Sequence, residues 1–387
     1  MLYQTHVRIN LANIRRNLES LRDYLGGTRL LFAVKANAYG HGAVAIASMA
    51  ERAGLADWLG VATVPEGIEL REAGLRLPIL KFSPAFPEEM AAAVGAGLTM
   101  TVGEPGNIRA LQSVAAAMGA VARVHLKVET GMGRVGAVAA EAPGLALLIE
   151  RQCPNLHLEG VFTHLPMGDL AEGASFTREQ IARFRRVTQE IAAALGRMPE
   201  WVHCASSGGI LGFREGWMSL VRTGTLCLGY FPIDSPTTPI ALAPALSWYT
   251  RIAFLKQVEK GTPVSYGHTW RAPRDTWIAT LPVGYADGLN RHLSSRGRVL
   301  VGGRSCPIAG RICMDQTMID LGPDTPARVG DEAVLIGRSG AEEITTYEMA
   351  RLLGTVPCDV TCQIGHRVQR IYDAPVADPP RGALASV

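Results

Sequence analysis

The chain has 387 residues, of which 48% are hydrophobic, and its formal net charge is only +3. This length is too great for one ordinary core, so we expect two domains or a barrel with an additional module. The small charge and the dispersed Lys and Arg residues exclude an extended nucleic-acid surface, since the basic clusters at 183–186 and 291–298 are short and lack interleaved aromatic residues.

The seven cysteines are scattered and odd in number, which favours a reduced, cytoplasmic protein. Cys358 and Cys362 are four residues apart, but no second pair completes a zinc site, so we expect no metal. The N-terminus lacks the basic region and apolar run of a secretory signal. No apolar run reaches the length of a membrane span, so we expect no membrane partner.

The first half of the chain alternates between helical and apolar strand-like segments. Residues 11–25 carry apolar side chains at helical spacing and predict an amphipathic helix. Eight apolar runs follow, namely LLFAVKA, WLGVAT, LPILKF, LTMTV, ARVHLKVE, LEGVFTHL, WVHCASS and SLVRTGTLCLGYF. The runs are continuous rather than alternating, as in parallel strands buried on both faces. The clearest intervening helix spans 178–195, with a capping box at Thr177 and Gln180 and a stop at Gly196.

Eight strands alternating with helices predict an α/β fold, a (β/α)8 TIM barrel. A doubly wound open sheet is the main alternative, but the chain lacks a G-x-G-x-x-G turn after the first strand. After about residue 238 a Pro/Thr-rich linker, FPIDSPTTPIALAP, leads into short β-type runs and one short helix near 345–353. This pattern predicts a mainly antiparallel β domain. We expect a barrel over 9–238 and a C-terminal β domain over 239–387, and we expect residues 1–8 to belong to the β domain.

Polar residues cluster where the predicted barrel strands end, which is where barrel enzymes place their chemistry. Lys35 follows the first strand, and the local pattern fits either a lysine that reaches solvent or a desolvated lysine that forms a Schiff base. Ser and Thr residues form a collar after the seventh and eighth strands, the usual place for a phosphate. A terminal lysine with a phosphate collar favours a pyridoxal phosphate site.

Five motifs carry a resemblance that covers nearly the whole chain. AVKANAYGHG, KVETGMGRVG, VSYGHTW, LPVGYADGLNR and GRICMDQTMID resemble the motifs of alanine racemases and occur in the order typical of that family. The resemblance implies a barrel followed by a β domain, pyridoxal 5′-phosphate as cofactor, an amino acid as substrate, and a homodimer with shared active sites. It also implies interconversion of L-alanine and D-alanine, which supplies D-alanine for peptidoglycan.

The resemblance also implies the catalytic roles. Racemisation needs an acid/base group on each face of the reacting carbon. Lys35 is similar to the lysine that binds the cofactor and acts on one face, and Tyr266 to the tyrosine of the partner subunit that acts on the other. Arg222 resembles the arginine that faces the pyridine nitrogen, and His164 the histidine behind it.

The remaining roles come from the same motifs. Arg134 and Met314 resemble the residues that bind the substrate carboxylate, and Lys127 resembles a lysine that is often carbamylated. The phosphate would be held by Tyr39, Ser207, Gly224 and Thr225. Tyr285 and Asp315 would line the entrance.

Two positions depart from the family pattern. Ser206 stands where the family usually has Asn, and Cys358 in GTVPCDV stands where the family usually has a tyrosine that reaches the phosphate. A thiol is smaller and a poor donor, so the phosphate would lose one hydrogen bond worth about 1 kcal/mol and the entrance would widen.

Alternative functions stay open at this point. A serine or broader-specificity racemase is one, because of Cys358. A non-catalytic pyridoxal phosphate-binding barrel is another, but the long β domain and Tyr266 argue against it. A decarboxylase of related fold lacks support, since its cysteine motif is not evident.

Overall fold

The computed structural model describes residues 2–232 and 240–373, and residues 233–239 of the predicted linker lie outside them. The chain forms two compact units. Within the described residues, one unit comprises 14–38, 43–232 and 240–243, and the other comprises 2–13, 39–42 and 244–373.

The first unit is a nearly closed barrel of eight parallel strands, as the sequence predicted. The strands, in spatial order, are Leu220–Thr223, Arg29–Ala33, Trp58–Val61, Ile79–Lys81, Thr99–Val102, Ala122–Glu129, Leu156–Phe162 and Trp201–His203. The two ends of this order, Leu220–Thr223 and Trp201–His203, approach each other through two backbone bonds, Ser219 N to Val202 O at 3.1 Å and Arg222 N to Ala205 O at 3.0 Å. Most strand residues are buried, which explains the continuous apolar runs.

Helices connect the barrel strands. Their bounds are Leu11–Leu25 ahead of the first strand, then Ala43–Arg52, Val64–Glu72, Pro87–Gly95, Pro105–Ala117, Ala142–Gln152, Ala174–Leu195 and Ser207–Gly212. The predicted helix over 11–25 is confirmed with the predicted bounds. Helix Val64–Glu72 begins with a capping box, in which the Thr63 hydroxyl accepts from Glu66 N and the Glu66 carboxylate accepts from Thr63 N.

One predicted helix start is wrong. The long helix spans Ala174–Leu195, so Thr177 and Gln180 lie inside it and are buried, and they form no capping box. A 3-10 turn over Ala171–Gly173 runs directly into the helix, so the first helical turn begins earlier than the polar pattern suggests. The predicted stop is confirmed, because Gly196 has a φ of +71° at the C-cap.

The second unit is mostly antiparallel β structure. Its largest sheet contains Arg304–Pro307, Arg298–Val301, Glu332–Ser339, Leu246–Arg251, His6–Ile9 and Gln369–Tyr372 in spatial order, with Glu342–Ile344 paired to Glu332–Ser339. All of these pairs are antiparallel except the last in the order, in which His6–Ile9 runs parallel to Gln369–Tyr372. A three-stranded antiparallel sheet contains Phe254–Val258, Thr276–Leu281 and Thr317–Gly322, and a two-residue ladder joins Pro263–Val264 to Trp270–Arg271.

Between residues 244 and 373 this unit has two α-helices where the sequence predicted one. Thr346–Leu353 matches the prediction, and a second helix spans Pro357–Cys362. Val and Thr in the second segment favour strands over helices, so the sequence pattern did not indicate this helix. Pro357 at its first position is the start signal that was present. No helix in the described part of the chain has the length and apolar character needed to cross a membrane.

Candidate active site

A left-handed turn follows the first barrel strand. The strand ends at Ala33, and the helical turn Lys35–Tyr39 has φ values between +50° and +53° at Ala36, Asn37, Ala38 and Tyr39. This conformation costs about 1–2 kcal/mol for each L-residue, so the surroundings must hold it. Strain of this kind is typical of functional sites.

Three hydrogen bonds hold the left-handed turn. Ala38 N donates to Val34 O at 2.7 Å, Ala36 N donates to the Glu66 carboxylate at 2.7 Å, and Ala43 N donates to Asn37 Oδ1 at 2.8 Å. The same Glu66 carboxylate closes the capping box of the following helix. The turn after Lys35 is therefore built into the barrel scaffold.

Three hydroxyl groups gather after the seventh and eighth barrel strands. Ser207 Oγ lies 2.7 Å from Thr223 Oγ1 and 2.9 Å from Thr225 Oγ1. Gly208 allows a close backbone approach, because a Cβ there would lie 2.6 Å from the carbonyl group of Gly168. The structure thus brings together Ser207 and Thr225, two of the predicted phosphate residues, and places Gly224 between Thr223 and Thr225.

The Arg222 guanidinium is surrounded by acceptors. Its side chain is buried, with 5% of the residue exposed. Nη2 donates to Thr163 O at 2.8 Å and Cys204 O at 3.2 Å, and it lies 3.3 Å from His164 Nδ1. Nη1 lies 2.6 Å from His203 Nδ1. Burial lowers the pKa of Arg222 to about 10, so the group stays a cation at neutral pH.

His164 is neutral in this environment. Burial and then the charges of Arg222, Arg134, Lys127 and Lys35 lower its pKa to about 2. A neutral imidazole has a free lone pair, so Nδ1 of His164 accepts from Arg222. The structure therefore brings together His164 and Arg222, two of the predicted cofactor-binding residues.

Lys127 is buried beside the same cations. Burial, followed by the charges of Arg134 and Arg222, lowers its pKa to about 8. Its Nζ lies 5.5 Å from the centroid of the Phe162 ring. A lysine with this pKa has an appreciable neutral fraction just above pH 7, and the neutral amine is its reactive form.

The loop that carries Arg134 is organised by a carboxylate that the sequence analysis missed. Glu129 accepts from four successive backbone N–H groups, those of residues 131–134. Burial opposes ionisation, but these bonds hold the pKa of Glu129 below its usual value. The sequence did contain a signal for this role, because Glu129 stands directly ahead of the glycine-rich segment TGMG.

These groups fit an anionic, phosphate-bearing cofactor. The charges that depress the pKa of His164 are all positive, and the cluster of Ser and Thr hydroxyls lies at the same ends of the barrel strands. An anion there would offset the repulsion between the cations, as phosphate does beside Arg and Lys.

Among the described residues, no group of three or more His, Cys, Asp or Glu side chains could hold a metal ion.

Three loops of the second unit bring the other predicted residues together. Tyr285 N donates to Cys313 O at 3.0 Å, and Ala286 N donates to Met314 O at 3.0 Å. Ser265 Oγ donates to Arg311 O at 2.5 Å. Tyr266, Tyr285, Met314 and Asp315 therefore lie on adjacent loops, although 49 positions separate the first from the last in sequence.

These residues are exposed on the second unit. Tyr266 is 69% exposed, Met314 is 53% exposed and Tyr285 is 42% exposed, which is unusual for large apolar side chains. Asp315 is held by Arg367, whose Nη1 donates to its Oδ1 at 2.9 Å, and Arg367 also pairs with the buried Asp287 at 3.1 Å. Arg367 was missed because no local pattern relates it to Asp315.

Cys358 lies on the unpredicted short helix, which packs against the loop after Tyr39. A Cβ at Gly40 would overlap the carbonyl oxygen of Thr361, so only glycine allows this approach. Arg370 Nε donates to Gly40 O at 3.1 Å and its other nitrogens donate to carbonyl oxygens of residues 364, 365 and 368. The loop that carries Tyr39 and the helix that carries Cys358 are therefore neighbours in this unit.

Two family models together match most of the chain. Residues 9–232 match the family model of the alanine racemase N-terminal domain, and residues 245–372 match that of the C-terminal domain. Alanine racemase from Cutibacterium acnes is 47% identical over 369 residues, covering 95% of this chain and 97% of that protein. Alanine racemase from Symbiobacterium thermophilum is 44% identical over 375 residues, covering 96% of this chain and 98% of that protein.

Solved structures show the same similarity. Alanine racemase from Clostridium difficile 630 superposes with a TM-score of 0.91 at 33% identity, and covers 96% of each chain. The alanine racemase from Bacillus anthracis with bound L-Ala-P gives a TM-score of 0.91 at 34% identity, again over 96% of each chain.

Proposed function

Because the chain belongs to the alanine racemase family, we propose that it interconverts L-alanine and D-alanine with pyridoxal 5′-phosphate and two bases. The observation that supports this most is the cluster at the barrel strand ends. A strained turn presents Lys35, and the buried guanidinium of Arg222 bonds His203 Nδ1 and Thr163 O. Three hydroxyl groups meet at Ser207. A merely structural barrel would not need cations collected around a neutral histidine.

The cofactor, when bound, spreads the negative charge that is left when the α-proton departs. Lys35 would hold the cofactor covalently and move a proton at the α-carbon from one face. Tyr266 would serve the other face. Since each face has its own acid/base group, either enantiomer can lose its proton and regain one from the opposite side.

Arg222 is the residue that we assign to the ring nitrogen of the cofactor. Arginine has no acceptor and keeps its proton at neutral pH, so it leaves the atom that it faces unprotonated. An arginine in that place would make the ring a weaker acceptor of electrons and would limit proton transfer to carbons other than the α-carbon. Neutral His164 accepts from the other guanidinium nitrogen and fixes the plane of the group.

The phosphate would be held by Ser207, Thr225, Tyr39 and the backbone around Gly224. Arg134 and Met314 would bind the carboxylate of the amino acid, and Tyr285 and Asp315 would line the entrance. Arg134 is one of the cations that depress the pKa of His164, so an anionic carboxylate beside it would reduce that repulsion.

The working form that we propose is a homodimer in which Tyr266, Met314, Tyr285 and Asp315 serve the partner subunit's Lys35. The exposure of Tyr266, Met314 and Tyr285 on one group of loops supports this, because large apolar side chains exposed together mark an interaction surface. Supply of D-alanine for peptidoglycan and a cytoplasmic location are parts of the same proposal.

A serine or broader-specificity racemase is the second candidate. Cys358 favours it, since its helix adjoins the loop of Tyr39, and a thiol there leaves more room than a tyrosine. A pocket discriminates between substrates that differ by one methylene by only about 1–3 kcal/mol. A wider entrance would therefore change the ratio of the rates with alanine and serine, and neither substrate would be excluded.

The experiment that tests the function follows the optical rotation of L-alanine and L-serine separately, with purified protein and added pyridoxal 5′-phosphate. Fast loss with alanine and little with serine supports an alanine racemase. Comparable rates support the broader enzyme. No loss with either, while Lys35-dependent absorption of the bound cofactor is present, contradicts both and favours a cofactor-binding protein. Lys35→Ala is the control, and we expect it to lose both that absorption and the activity.

A further inference from the structure

A hydrogen-bonded chain extends from Arg222 into the interior of the barrel. His203 Nδ1 lies 2.6 Å from Arg222 Nη1, and His203 Nε2 lies 3.0 Å from His125 Nδ1. His125 Nε2 then faces Glu159 Oε1 at 3.5 Å. Both histidines are fully buried and Glu159 is 5% exposed, so water has little access to these groups.

Arginine sets the direction of the whole chain. Because Arg222 can only donate, Nδ1 of His203 must accept and cannot carry a proton. Burial and the Arg222 charge hold the pKa of His203 well below its usual value, so the ring is neutral and its proton sits on Nε2. That N–H donates to Nδ1 of His125. Burial lowers the pKa of His125 as well, so its single proton sits on Nε2, facing Glu159.

Glu159 is a suitable end for such a chain, because it is a negatively charged acceptor. Burial alone would raise its pKa, but His125, the Thr99 hydroxyl at 2.8 Å and Arg123 at 4.0 Å hold the pKa below its usual value. Among the described residues, Nε2 of His125 has no hydrogen-bond partner of ordinary geometry, and Glu159 is the carboxylate that faces it.

The barrel makes room for this chain. A Cβ at residue 160 would lie 2.6 Å from the His125 ring, so Gly160 is required for that ring to occupy the interior. The Glu159 end of the chain borders a cavity of about 670 Å³ that is also lined by Trp58, Arg123 and Glu200. Trp58 is the first residue of strand Trp58–Val61, so the cavity lies at the end where the barrel strands begin. The chain therefore runs from the catalytic end of the strands towards the opposite end of the barrel.

We propose that Glu159 is a positioning residue for Arg222 and acts on it through His125 and His203. The charged acceptor polarises both imidazole links in one direction, which strengthens the hydrogen bond that orients the guanidinium. The kinetic part of this inference rests on the proposed function, while the direction of the chain does not. Without the charge at Glu159, Arg222 loses orientation, and the chemical step slows more than substrate binding weakens.

The test is nitrogen-proton correlation NMR of the full chain labelled with ¹⁵N in histidine, with and without pyridoxal 5′-phosphate. Variants His203→Gln and His125→Gln assign the two signals. We expect both rings to be neutral with the proton on Nε2. An Nδ1 proton on either ring in the wild-type protein overturns the proposal, whether or not any variant folds and whether or not alanine is racemised.

Glu159→Gln keeps the size and an acceptor but removes the charge. We expect its His125 Nε2 proton to move upfield, and the His203 Nε2 proton to follow by less, since the links are coupled in series. We also expect kcat for alanine to fall on the order of tenfold, with KM changed by less than about twofold, as for other supporting groups of an active site.

Two variants separate this role from alternatives. Glu200→Gln removes another carboxylate of the same cavity, and Thr99→Val removes the hydroxyl bond to Glu159 while keeping its charge. Both should leave the imidazole signals and kcat near wild-type values. If the His203 signal is unchanged in Glu159→Gln, or if Thr99→Val reproduces the loss in kcat, Glu159 is a structural residue and the proposal is wrong.

Discussion

Nη2 of Arg222 lies 3.3 Å from Nδ1 of His164, so a permanent cation donates to an imidazole that stays neutral because neighbouring charges lower its pKa to about 2. The same guanidinium donates to His203 at 2.6 Å. Arg222 thus lies between two imidazoles whose lone pairs point at it. Such a group can orient a ligand but cannot take a proton from it, which matches the role proposed for Arg222.

The first prediction concerns stability against acid. His203 and His125 are fully buried, and burial lowers both pKa values from 6.5. Below pH 6.5 the unfolded chain takes up protons that the folded chain does not, so these groups contribute full stability above pH 6.5 and lose it as pH falls. Each histidine should add a slope of about 1.4 kcal/mol per pH unit.

Urea unfolding at pH 7, 6 and 5, at constant protein concentration, measures this slope. His203→Gln should be less stable than the wild-type protein at pH 7, because it loses the imidazole that links Arg222 to His125 and stacks on Phe162. Its stability should nevertheless fall less steeply towards pH 5. Parallel pH dependence in the two proteins would show that His203 does not stay neutral in the folded state.

The second prediction concerns Tyr266. Tyr266→Phe removes the acid/base group of one face and leaves Lys35 on the other. Loss of α-deuterium should therefore slow by about 10²–10⁴-fold for one enantiomer and much less for the other. The measurement is proton exchange at the α-carbon of L-alanine and D-alanine in single-turnover conditions, and equal losses would contradict the assignment of two faces.

The same residue tests the shared site. Lys35→Ala and Tyr266→Phe chains should each be inactive alone, yet a mixture that exchanges subunits should regain about a quarter of wild-type activity, because each mixed dimer holds one intact site. A mixture that stays inactive after demonstrated subunit exchange would mean that Tyr266 serves its own chain.

The third prediction concerns Cys358. Cys358→Tyr adds a phenol that narrows the entrance and offers a donor to the phosphate, so the ratio of kcat/KM for alanine over serine should rise by about 10-fold or more. Cys362→Ala, on the same helix, is the matched control and should leave the ratio unchanged. If the ratio is already as high in the wild-type protein as in Cys358→Tyr, residue 358 does not control the selection of substrates by size.

The fourth prediction concerns Lys127. Burial and the nearby cations lower its pKa to about 8, and only the neutral amine reacts with carbon dioxide. Carbamylation should therefore increase as pH rises through 8. Incubation with ¹³C-bicarbonate should give a carbamate NMR signal that is stronger at pH 9 than at pH 7 and is missing in Lys127→Arg. A signal that persists in that variant would belong to another amine.

Local sequence patterns were sufficient for much of the fold. Continuous apolar runs located all eight barrel strands, and helical spacing located Leu11–Leu25, because burial imposes these patterns within a few neighbouring residues. Polar residues after the strands located Lys35, and a resemblance over long motifs supplied the roles that spacing alone could not.

Tertiary structure decided the features that depend on residues far apart in sequence. Glu66 holds the left-handed turn after Lys35 from 30 positions away, and Thr177 is buried inside a helix that it was expected to begin. The sequence by itself determined which segments become strands and helices, since that choice is made over a few residues. Only the folded barrel decided that His203 and His125 meet between Arg222 and Glu159, because these four residues lie on neighbouring strands that are distant in sequence. The tautomers of the two histidines likewise depend on Arg222, which can only donate.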